Sequence, residues 1–359
     1  MTLGNAGNDA GNPAKPVRDE DSFDVSAVHN WLADRVSDIA SATAPPEIAQ
    51  FPGGASNLTY ALGYPSTDLV LRRPPVGTKA AGAHDMHREY ELQRRLRPWF
   101  PQVPEVLAYC AAEDSPIGSE FYVMRRARGM ILRADLPAGL QLEPAAARGL
   151  ATGIFTLLAD LHSVDVDDAG LREYYRGPGY VARQVGGWSG RYRKALTPDA
   201  PSAEDVMAWL DANQPDDVAA CLIHGDWRFD NMVLDPDSLE VNAVLDWELA
   251  TVGDPLMDLG AALAYWVQPD DDEVFQMFRR QPSNVPGMPG RDEIVATYLD
   301  RTGFAMDSWT FYEVYGLFRL AVIAQQIWYR YAAGQTTNPA FQQFGPAVHY
   351  LVGRCQTLI

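Results

Sequence analysis

The sequence HGDWRFDN at residues 224–231, followed by VLDWE at residues 244–248, decides how the rest of this chain is interpreted. Asp226, Asn231 and Asp246 lie within these two stretches, so two carboxylates and a carboxamide stand close together in the sequence. Apolar residues of high β-propensity flank both stretches. This pattern predicts a loop that carries Asp226 and Asn231, followed by a short hairpin that returns Asp246 to the same place.

Two interpretations of this region are open at the level of the residues. An Asp can orient or deprotonate a hydroxyl, and Asn and Asp oxygens are ligands that Mg²⁺ prefers, which together favour phosphoryl transfer. The alternative is a surface hairpin, because DPDS at residues 235–238 is a turn signal. A turn by itself does not account for Asp226, Asn231 and Asp246 together.

The two stretches resemble the HGDxxxxN and DxE motifs of the aminoglycoside phosphotransferase and choline kinase-like family. The resemblance implies an α+β, two-lobed protein-kinase-like fold with a small β-rich N-terminal lobe and a larger, mostly helical C-terminal lobe. It also implies ATP and Mg²⁺ as cofactors, Asp226 as a catalytic residue, and Asn231 and Asp246 as metal ligands. Arg228 matches an HGDxRxxN form of the motif, and it either stabilises the transferring charge or pairs with Asp230.

A glycine-containing loop, FPGGASNLTY at residues 51–60, stands where the family binds the phosphates of the nucleotide. Glycine lets backbone N–H groups approach phosphate oxygens closely, and Ser and Asn side chains can add hydrogen bonds. The candidate nucleotide-binding residues here are Gly53, Gly54, Ser56 and Asn57. The alternative is an ordinary Gly-Gly turn.

Further along, VLRRPP at residues 70–75 predicts a strand stopped by prolines, with Arg72 as the cation for the triphosphate. The resemblance implies that Glu89, on the next helix, pairs with Arg72; a solvent-facing Glu89 is the alternative. The strand FYVM at residues 121–124 matches the hinge of the family, where backbone groups near Met124 would contact the adenine. Within the family, the chain most resembles the acyl-CoA dehydrogenase 10/11-type kinase-domain branch. The motifs that carry this resemblance are GGxSNLTY, VLRRPP and AHDMxREY.

The order of these segments predicts a flexible tail over residues 1–20, a nucleotide-binding lobe over residues 21–126, and a helical lobe with the catalytic loop and acceptor site over residues 127–359. Apolar residues at helical spacing predict an amphipathic helix near residues 24–40 and a central helix over residues 308–331. The family motif GDPxxDLA implies that Asp254 caps a helix and that Asp258 braces the catalytic loop. Glu248 either contacts a second Mg²⁺ or the substrate, or binds neighbouring backbone.

Composition limits the classes of function. A length of 359 residues with 47% hydrophobic residues is sufficient for two packed lobes. The formal net charge of -18 argues against nucleic acid or an anionic membrane as a general partner. Three scattered cysteines imply no disulfide framework, and residues 1–20 show no apolar leader. These features predict a cytoplasmic enzyme; they do not specify its oligomeric state.

The predicted reaction moves the γ-phosphoryl group of ATP to the hydroxyl of a small molecule. A cluster of basic residues around Trp188 favours an anionic acceptor, and the branch resemblance points to a hydroxyacyl-CoA-like compound. The cluster consists of Arg183, Arg191, Arg193 and Lys194. The acidic run DDDE at residues 270–273 favours a cationic aminoglycoside as the alternative. A catalytically silent, nucleotide-binding protein of the same fold is a third interpretation.

Overall fold

Five antiparallel strands form a sheet in the order β1-β2-β3-β5-β4. The computed structural model describes residues 14–52, 57–75 and 85–359. The strands are β1 (Glu47–Gln50), β2 (Leu58–Gly63), β3 (Asp68–Arg73), β4 (Val106–Cys110) and β5 (Phe121–Arg125). Each strand is antiparallel to its neighbours. The pairs β1–β2, β2–β3 and β4–β5 are consecutive in the chain, whereas β4 lies between β3 and β5 in the sequence.

The two faces of this sheet pack against different helices because side chains alternate along each strand. Helix α1 (Val25–Ala33) shares one buried apolar cluster with the strand residues Leu69 and Leu71. Helix α2 (Met86–Leu96) contributes Met86 to a second cluster that includes Val70. The alternation in β3 therefore sends Arg72 to the same side as Val70, which is the side of α2.

The predicted helix near residues 24–40 is shorter in the structure. Helix α1 ends at Ala33, and a separate 3-10 helix covers Ser37–Ile39. Four of the five apolar positions of the pattern are nevertheless buried, with exposed fractions of 4% or less at Val28, Leu32, Val36 and Ile39, whereas Val25 is only partly buried. The hydrophobic spacing thus predicted the burial correctly, and the end of the helix incorrectly.

Residues 14–20 do not form the free tail predicted for residues 1–20. Lys15 and Gln50 exchange two backbone hydrogen bonds of 2.8 and 2.7 Å, and the side chain of Gln50 accepts a bond from the Arg18 N–H at 3.1 Å. The physical reason is that β1 lies at the edge of the sheet, where unpaired backbone groups form hydrogen bonds with any adjacent extended segment. Residues 1–13 lie outside the described residues.

Four further short strands form two two-stranded sheets, β6 with β9 and β7 with β8. They are β6 (Cys221–Ile223), β7 (Met232–Leu234), β8 (Val241–Val244) and β9 (Thr251–Gly253). The predicted hairpin is therefore present as β7 and β8. Two reciprocal backbone hydrogen bonds of 2.8 Å join Leu234 to Met130, and Val244 donates a third, also of 2.8 Å, to the Gln102 carbonyl.

These contacts group the hairpin with the N-terminal sheet. By its contacts the chain divides into two compact units, one of residues 1–133 and 229–248 and one of residues 134–228 and 249–359. The boundary predicted at residue 126 assigns the hairpin to the second lobe. In the structure, the hairpin instead packs with the first unit. The hairpin returns to pair with Met130, a contact that no local sequence pattern reports.

The second unit is mainly helical. Its helices are α3 (Pro144–His162), α4 (Tyr180–Lys194), α5 (Glu204–Ala212), α6 (Pro255–Leu263), α7 (Glu273–Met277), α8 (Arg291–Thr302), α9 (Thr310–Ala332) and α10 (Phe344–Leu358). Helix α9 confirms the predicted central helix. It approaches α6 so closely that a Cβ on Gly260 would lie 2.5 Å from the Tyr312 carbonyl oxygen. Across the parts of the chain that the structure describes, no helix combines the length and apolar character needed to cross a membrane.

Candidate active site

In the first unit, Arg72 lies between two carboxylates. Its Nη1 is 3.2 Å from Oε1 of Glu89 on α2, and its Nη2 is 3.0 Å from Oδ1 of Asp246, just beyond β8. Tyr122 stands opposite Arg72 in the register of β3 and β5 and donates a hydrogen bond of 3.0 Å to Glu89. The structure thus brings together Arg72, Glu89 and Asp246, and the alternative of a solvent-facing Glu89 is wrong, because its exposed fraction is 1%.

The electrostatics of this group follow from its burial. Burial raises the pKa of Glu89, although the neighbouring Arg72 partly offsets the effect. Burial alone would lower the pKa of Arg72, but Glu89, Tyr122 and Asp246 hold it well above its usual value. Within the described residues, Nε of Arg72 and Oε2 of Glu89 are buried without a hydrogen-bond partner. Buried polar atoms are normally paired, so this unsatisfied donor is a place where a ligand oxygen would fit.

The hairpin brings the two candidate metal ligands to one end. Asn231 precedes β7 and Asp246 follows β8, and the Leu245 N–H donates a hydrogen bond of 2.7 Å to the Asn231 carbonyl. Asp246 has a φ of 68°, in the left-handed region that non-glycine residues rarely adopt. Such strained residues cluster at functional sites. Amide and carboxylate oxygens are donors that suit Mg²⁺, so this donor set fits that ion.

Asn57 and Glu248 are joined in the same unit. The Asn57 side chain, with an exposed fraction of 2%, donates a hydrogen bond of 3.1 Å to Glu248 Oε2. The Glu248 carbonyl also accepts a bond of 3.1 Å from Arg88. Glu248 therefore binds a side chain of the glycine-containing loop, a contact that the sequence did not predict. The predicted residues Gly53, Gly54 and Ser56 lie outside the described residues.

Met124 lies in β5, opposite Val70 of β3, and its exposed fraction is 7%. It belongs to the apolar cluster with Met86 and Tyr122. This burial is compatible with the predicted contact of its backbone with adenine, and that role remains a prediction.

In the second unit, the HGD loop follows β6. Arg228 Nε lies 3.2 Å from the Asp226 carboxylate, and the Arg228 guanidinium carbon is 5.1 Å from the centre of the Tyr265 ring. The side chains of Asp226 and Arg228 keep 16% and 25% of their surface exposed. A carboxylate and a guanidinium, both partly accessible, can orient a hydroxyl and bind an anionic group.

Asp258 braces this loop from α6. Its carboxylate accepts hydrogen bonds of 2.9 Å from the backbone N–H groups of His224 and Gly225, and it lies 3.2 Å from Nε2 of His162. Gly225 has a φ of 83°, which favours glycine. Burial by itself would raise the pKa of Asp258, but the hydrogen bonds from His162 and the loop hold it below its usual value. The predicted bracing contact is thus present.

Asp254 caps α6, as predicted. Its carboxylate accepts hydrogen bonds from the N–H groups of Leu256 and Met257, at 2.9 and 3.0 Å. It also accepts one from the Val218 N–H at 2.6 Å. Asp254 is therefore occupied by backbone donors, which is the expected geometry of an N-cap.

Arg319, which contacts the HGD loop, was not predicted as a site residue from the sequence. Arg319 of α9 is 7% exposed and donates a hydrogen bond of 2.6 Å to the Gly225 carbonyl, next to Asp226. A single Arg within an otherwise apolar helical segment, GLFRLAVIA at residues 316–324, was the available signal. Buried arginines are rare unless they bind a specific partner, so this residue could have been singled out.

The acidic run at residues 270–273 is largely used inside the second unit. Asp271 pairs with Arg291 and Arg354 at 2.6 and 2.8 Å. Asp272 caps α7 through the N–H groups of that helix and accepts a bond of 2.6 Å from Tyr350. These two carboxylates therefore have internal partners.

An antiparallel sheet with a buried Arg–Glu pair, and an HGD loop held by a helical Asp, are features of phosphotransferases with a protein-kinase-like fold. The model of the phosphotransferase enzyme family matches residues 47–294, which is well over half of the chain. The chain belongs to this family.

Individual proteins agree with this assignment. The chain is 34% identical to acyl-CoA dehydrogenase family member 10 of Mus musculus over 333 residues, which are 92% of this chain and 31% of that protein. The chain thus spans about a third of the length of that relative. A crystal structure of a candidate aminoglycoside phosphotransferase from Ralstonia eutropha JMP134 has a TM-score of 0.77 and 28% identity, over 94% of this chain and 98% of that one.

A more distant structure shares the fold alone. It is a thermostable mutant of aminoglycoside phosphotransferase APH(4)-Ia, in a ternary complex with AMP-PNP and hygromycin B. Its TM-score is 0.54 at 15% identity, over 92% of this chain and 97% of that one. The predicted fold class and the predicted branch of the family are both confirmed by these comparisons.

Proposed function

We propose that this protein transfers the γ-phosphoryl group of ATP to the hydroxyl of an anionic small molecule, most simply a hydroxyacyl-CoA-like compound. The observation that carries the proposal is the buried Arg72 between Glu89 and Asp246, whose Nε has no hydrogen-bond partner among the described residues. A fixed guanidinium of this kind is suited to phosphate oxygens. The AMP-PNP complex of the APH(4)-Ia mutant supports ATP as the donor.

Each predicted site residue has a proposed role. Arg72, held by Glu89, binds the phosphate tail of the nucleotide. Asn231 and Asp246 would hold Mg²⁺, which when bound neutralises charge on the β- and γ-phosphates. Asp226 orients the acceptor hydroxyl and accepts its proton, and Arg228 binds the transferring group.

The remaining nucleotide contacts belong to the predicted loop and hinge. The loop with Gly53, Gly54, Ser56 and Asn57 contributes donors to the phosphates, and backbone near Met124 contacts the adenine. Catalysis of this kind rests on positioning and on charge stabilisation more than on covalent chemistry.

An anionic acceptor has more support than an aminoglycoside. The acidic run at residues 270–273 favours a cationic acceptor in the sequence, but Asp271 and Asp272 of that run have internal partners in the structure. On α4, by contrast, Arg191 lies over the Trp188 ring, with its guanidinium carbon 4.4 Å from the ring centre. Arg193 of the same predicted cluster is already paired with Glu204, at 2.5 Å, and is therefore a weaker candidate.

An acceptor screen tests the reaction directly. We expect Mg²⁺-dependent ADP formation with 3-hydroxybutyryl-CoA to exceed that with kanamycin or choline by at least about tenfold in kcat/KM, since one charged hydrogen bond contributes about 1.5–3 kcal/mol. The measurement is coupled ADP release, with phosphorylated product identified by mass spectrometry. A preference for kanamycin would contradict the anionic acceptor. ATP binding with no acceptor-dependent turnover across a broad set of alcohols would favour the catalytically silent alternative.

Replacing Arg72 tests the nucleotide site. We expect Arg72→Met to weaken binding of Mg²⁺-ATP by about 10- to 100-fold, because a charge-assisted phosphate contact is lost. Titration calorimetry measures the affinity without any acceptor. The double variant Arg72→Met/Glu89→Gln is the matched control, because it removes the carboxylate that the single variant leaves buried and unpaired. Wild-type affinity in both variants would remove Arg72 from the proposed site.

A further inference from the structure

Arg319 is a buried cation that forms no ion pair with a carboxylate among the residues that the structure describes. Its exposed fraction is 7%, and its one hydrogen bond is to the Gly225 carbonyl at 2.6 Å. Across residues 14–52, 57–75 and 85–359, no Asp or Glu forms an ion pair with it. Removing an unpaired ion from water is costly, so buried guanidinium groups ordinarily meet a carboxylate or another anion. Within the described residues, Arg319 therefore has no directly paired carboxylate, and the negative charge of Asp226 acts on it without an ion pair.

A second cation lies at the same aromatic ring. The guanidinium carbon of Arg319 is 5.2 Å from the centre of the Trp188 ring, and that of Arg191 is 4.4 Å from it. Cation–π attraction holds each guanidinium at the ring, but it does not cancel the repulsion between two like charges. An anion near this pair would relieve the repulsion.

The aromatic residues around Arg319 do not supply the missing charge. Burial raises the pKa of Tyr315 to about 12, and it also holds the pKa of Tyr180 well above its usual value. Both phenols are therefore neutral at physiological pH. They can donate hydrogen bonds to an oxyanion. Because they are neutral, they cannot supply the negative charge that an oxyanion would bring to Arg319.

The position of Arg319 connects this group of residues to the HGD loop. Gly225, whose carbonyl accepts the hydrogen bond, is the neighbour of Asp226 in the sequence. Burial alone would lower the pKa of Arg319, but the tyrosines and the negative charge of Asp226 raise it. An anion held by Arg319 would thus lie within electrostatic reach of the carboxylate that is proposed to receive the acceptor hydroxyl.

We propose that Arg319, together with Arg191 at the Trp188 ring, binds the oxyanion of the acceptor and thereby determines acceptor specificity. This rests on the proposed function, since the anion is taken to belong to the molecule that is phosphorylated. The shared chemistry is an oxyanion that accepts two or more N–H donors, supplied either by a carboxylate or by the phosphates of a coenzyme A group.

The test measures binding without ATP, so that it does not depend on turnover. The probes are 3-hydroxybutyrate, which carries a carboxylate, coenzyme A, which carries phosphates, and 1,3-butanediol, which is neutral. We expect Arg319→Gln to lower the affinity for at least one of the two anions by about 10-fold or more, the range of a lost charged hydrogen bond, and to leave 1,3-butanediol unaffected. The anion whose affinity falls in Arg319→Gln shows whether a carboxylate or a phosphate supplies the oxyanion.

Two further variants keep the test interpretable if Arg319→Gln folds poorly. Arg191 is exposed, so Arg191→Gln is expected to fold and to weaken the same anion by a smaller factor. Arg319→Lys keeps the charge and is expected to restore part of the affinity. The control is Arg301→Gln, which removes a surface guanidinium of α8 that pairs with Asp160. Unchanged affinity for both anions in Arg319→Gln and Arg191→Gln would overturn the inference.

The outcome is separable from that of the proposed function. Acceptor-dependent ADP formation that is indifferent to Arg319 and to acceptor charge would overturn the inference and leave phosphoryl transfer standing. Conversely, loss of anion binding in Arg319→Gln, in a protein that forms no ADP with any alcohol, would support the anion site and contradict the proposed function.

Discussion

Replacing Asp226 with alanine is expected to lower the kcat of phosphoryl transfer by about 10²- to 10⁴-fold, the range that a positioned general base contributes. In the proposed mechanism Asp226 holds the acceptor hydroxyl and receives its proton, and no other residue of the HGD loop is assigned this role. The measurement is acceptor-dependent ADP formation at saturating ATP. Affinity for Mg²⁺-ATP is expected to stay close to that of the wild type, since Asp226 is assigned to the acceptor.

Two variants complete this experiment. Asp226→Asn keeps the shape and much of the hydrogen bonding but removes the basicity, so it is expected to lose a similar factor in kcat. Asp237→Ala removes an exposed carboxylate of the β7–β8 turn and is expected to have wild-type turnover. Turnover by Asp226→Ala at the rate of the wild type, in a protein with an unchanged thermal transition, would remove Asp226 from the mechanism.

The largest effect on stability is expected for Asp258→Ala, about 3–5 kcal/mol in the free energy of unfolding. The wild-type carboxylate accepts hydrogen bonds from the backbone of His224 and Gly225 and from His162, and its exposed fraction is 2%. Its removal leaves buried donors without a partner, and breaking a buried charged network costs about this much. Urea denaturation followed by fluorescence measures the change.

The pH dependence of this contribution has a definite sign. Because the folded state lowers the pKa of Asp258, the unfolded state binds more protons, and the contribution is present above the ordinary pKa of Asp and lost as the pH falls through the lowered value. The difference between wild type and Asp258→Ala should therefore shrink in acid. Asp160→Ala, at a surface ion pair, is the control and is expected to cost less than about 1 kcal/mol. A loss of comparable size at both positions would contradict the bracing role.

Several features were predictable because they are local. Asn231 and Asp246 are joined by a hairpin of largely apolar strands, so their convergence follows from strand pairing over a short loop. Asp254 followed by Pro255 is an N-cap and first-turn signal, and the structure has that cap. The apolar residues over 308–331 predicted a central helix, since burial on all sides needs apolar residues on all sides, and the structure has a helix over Thr310–Ala332.

Other features depend on contacts between residues far apart in the chain. The pairing of Arg72 with Glu89 could be expected only through the family resemblance, because neither residue carries a local signal of burial. The hydrogen bond between Asn57 and Glu248 joins residues 191 positions apart, and no periodic pattern reports it. The pairing of Lys15 with Gln50 was missed for the same reason: a polar, glycine-rich start predicts a tail unless an open strand edge lies nearby.

The amino-acid sequence by itself determined the order of the chemical groups, the family and the local elements that carry them, because motif spacing, caps and hydrophobic periodicity act over a few residues. The tertiary structure decided which charges are balanced. It pairs Asp271 with two arginines and encloses Glu89 beside Arg72, and over the described part of the chain it gives Arg319 at Gly225 no ion pair with a carboxylate. The physical reason is that the energy of a charge depends on its burial and on its neighbours in space, and both are properties of the packed chain.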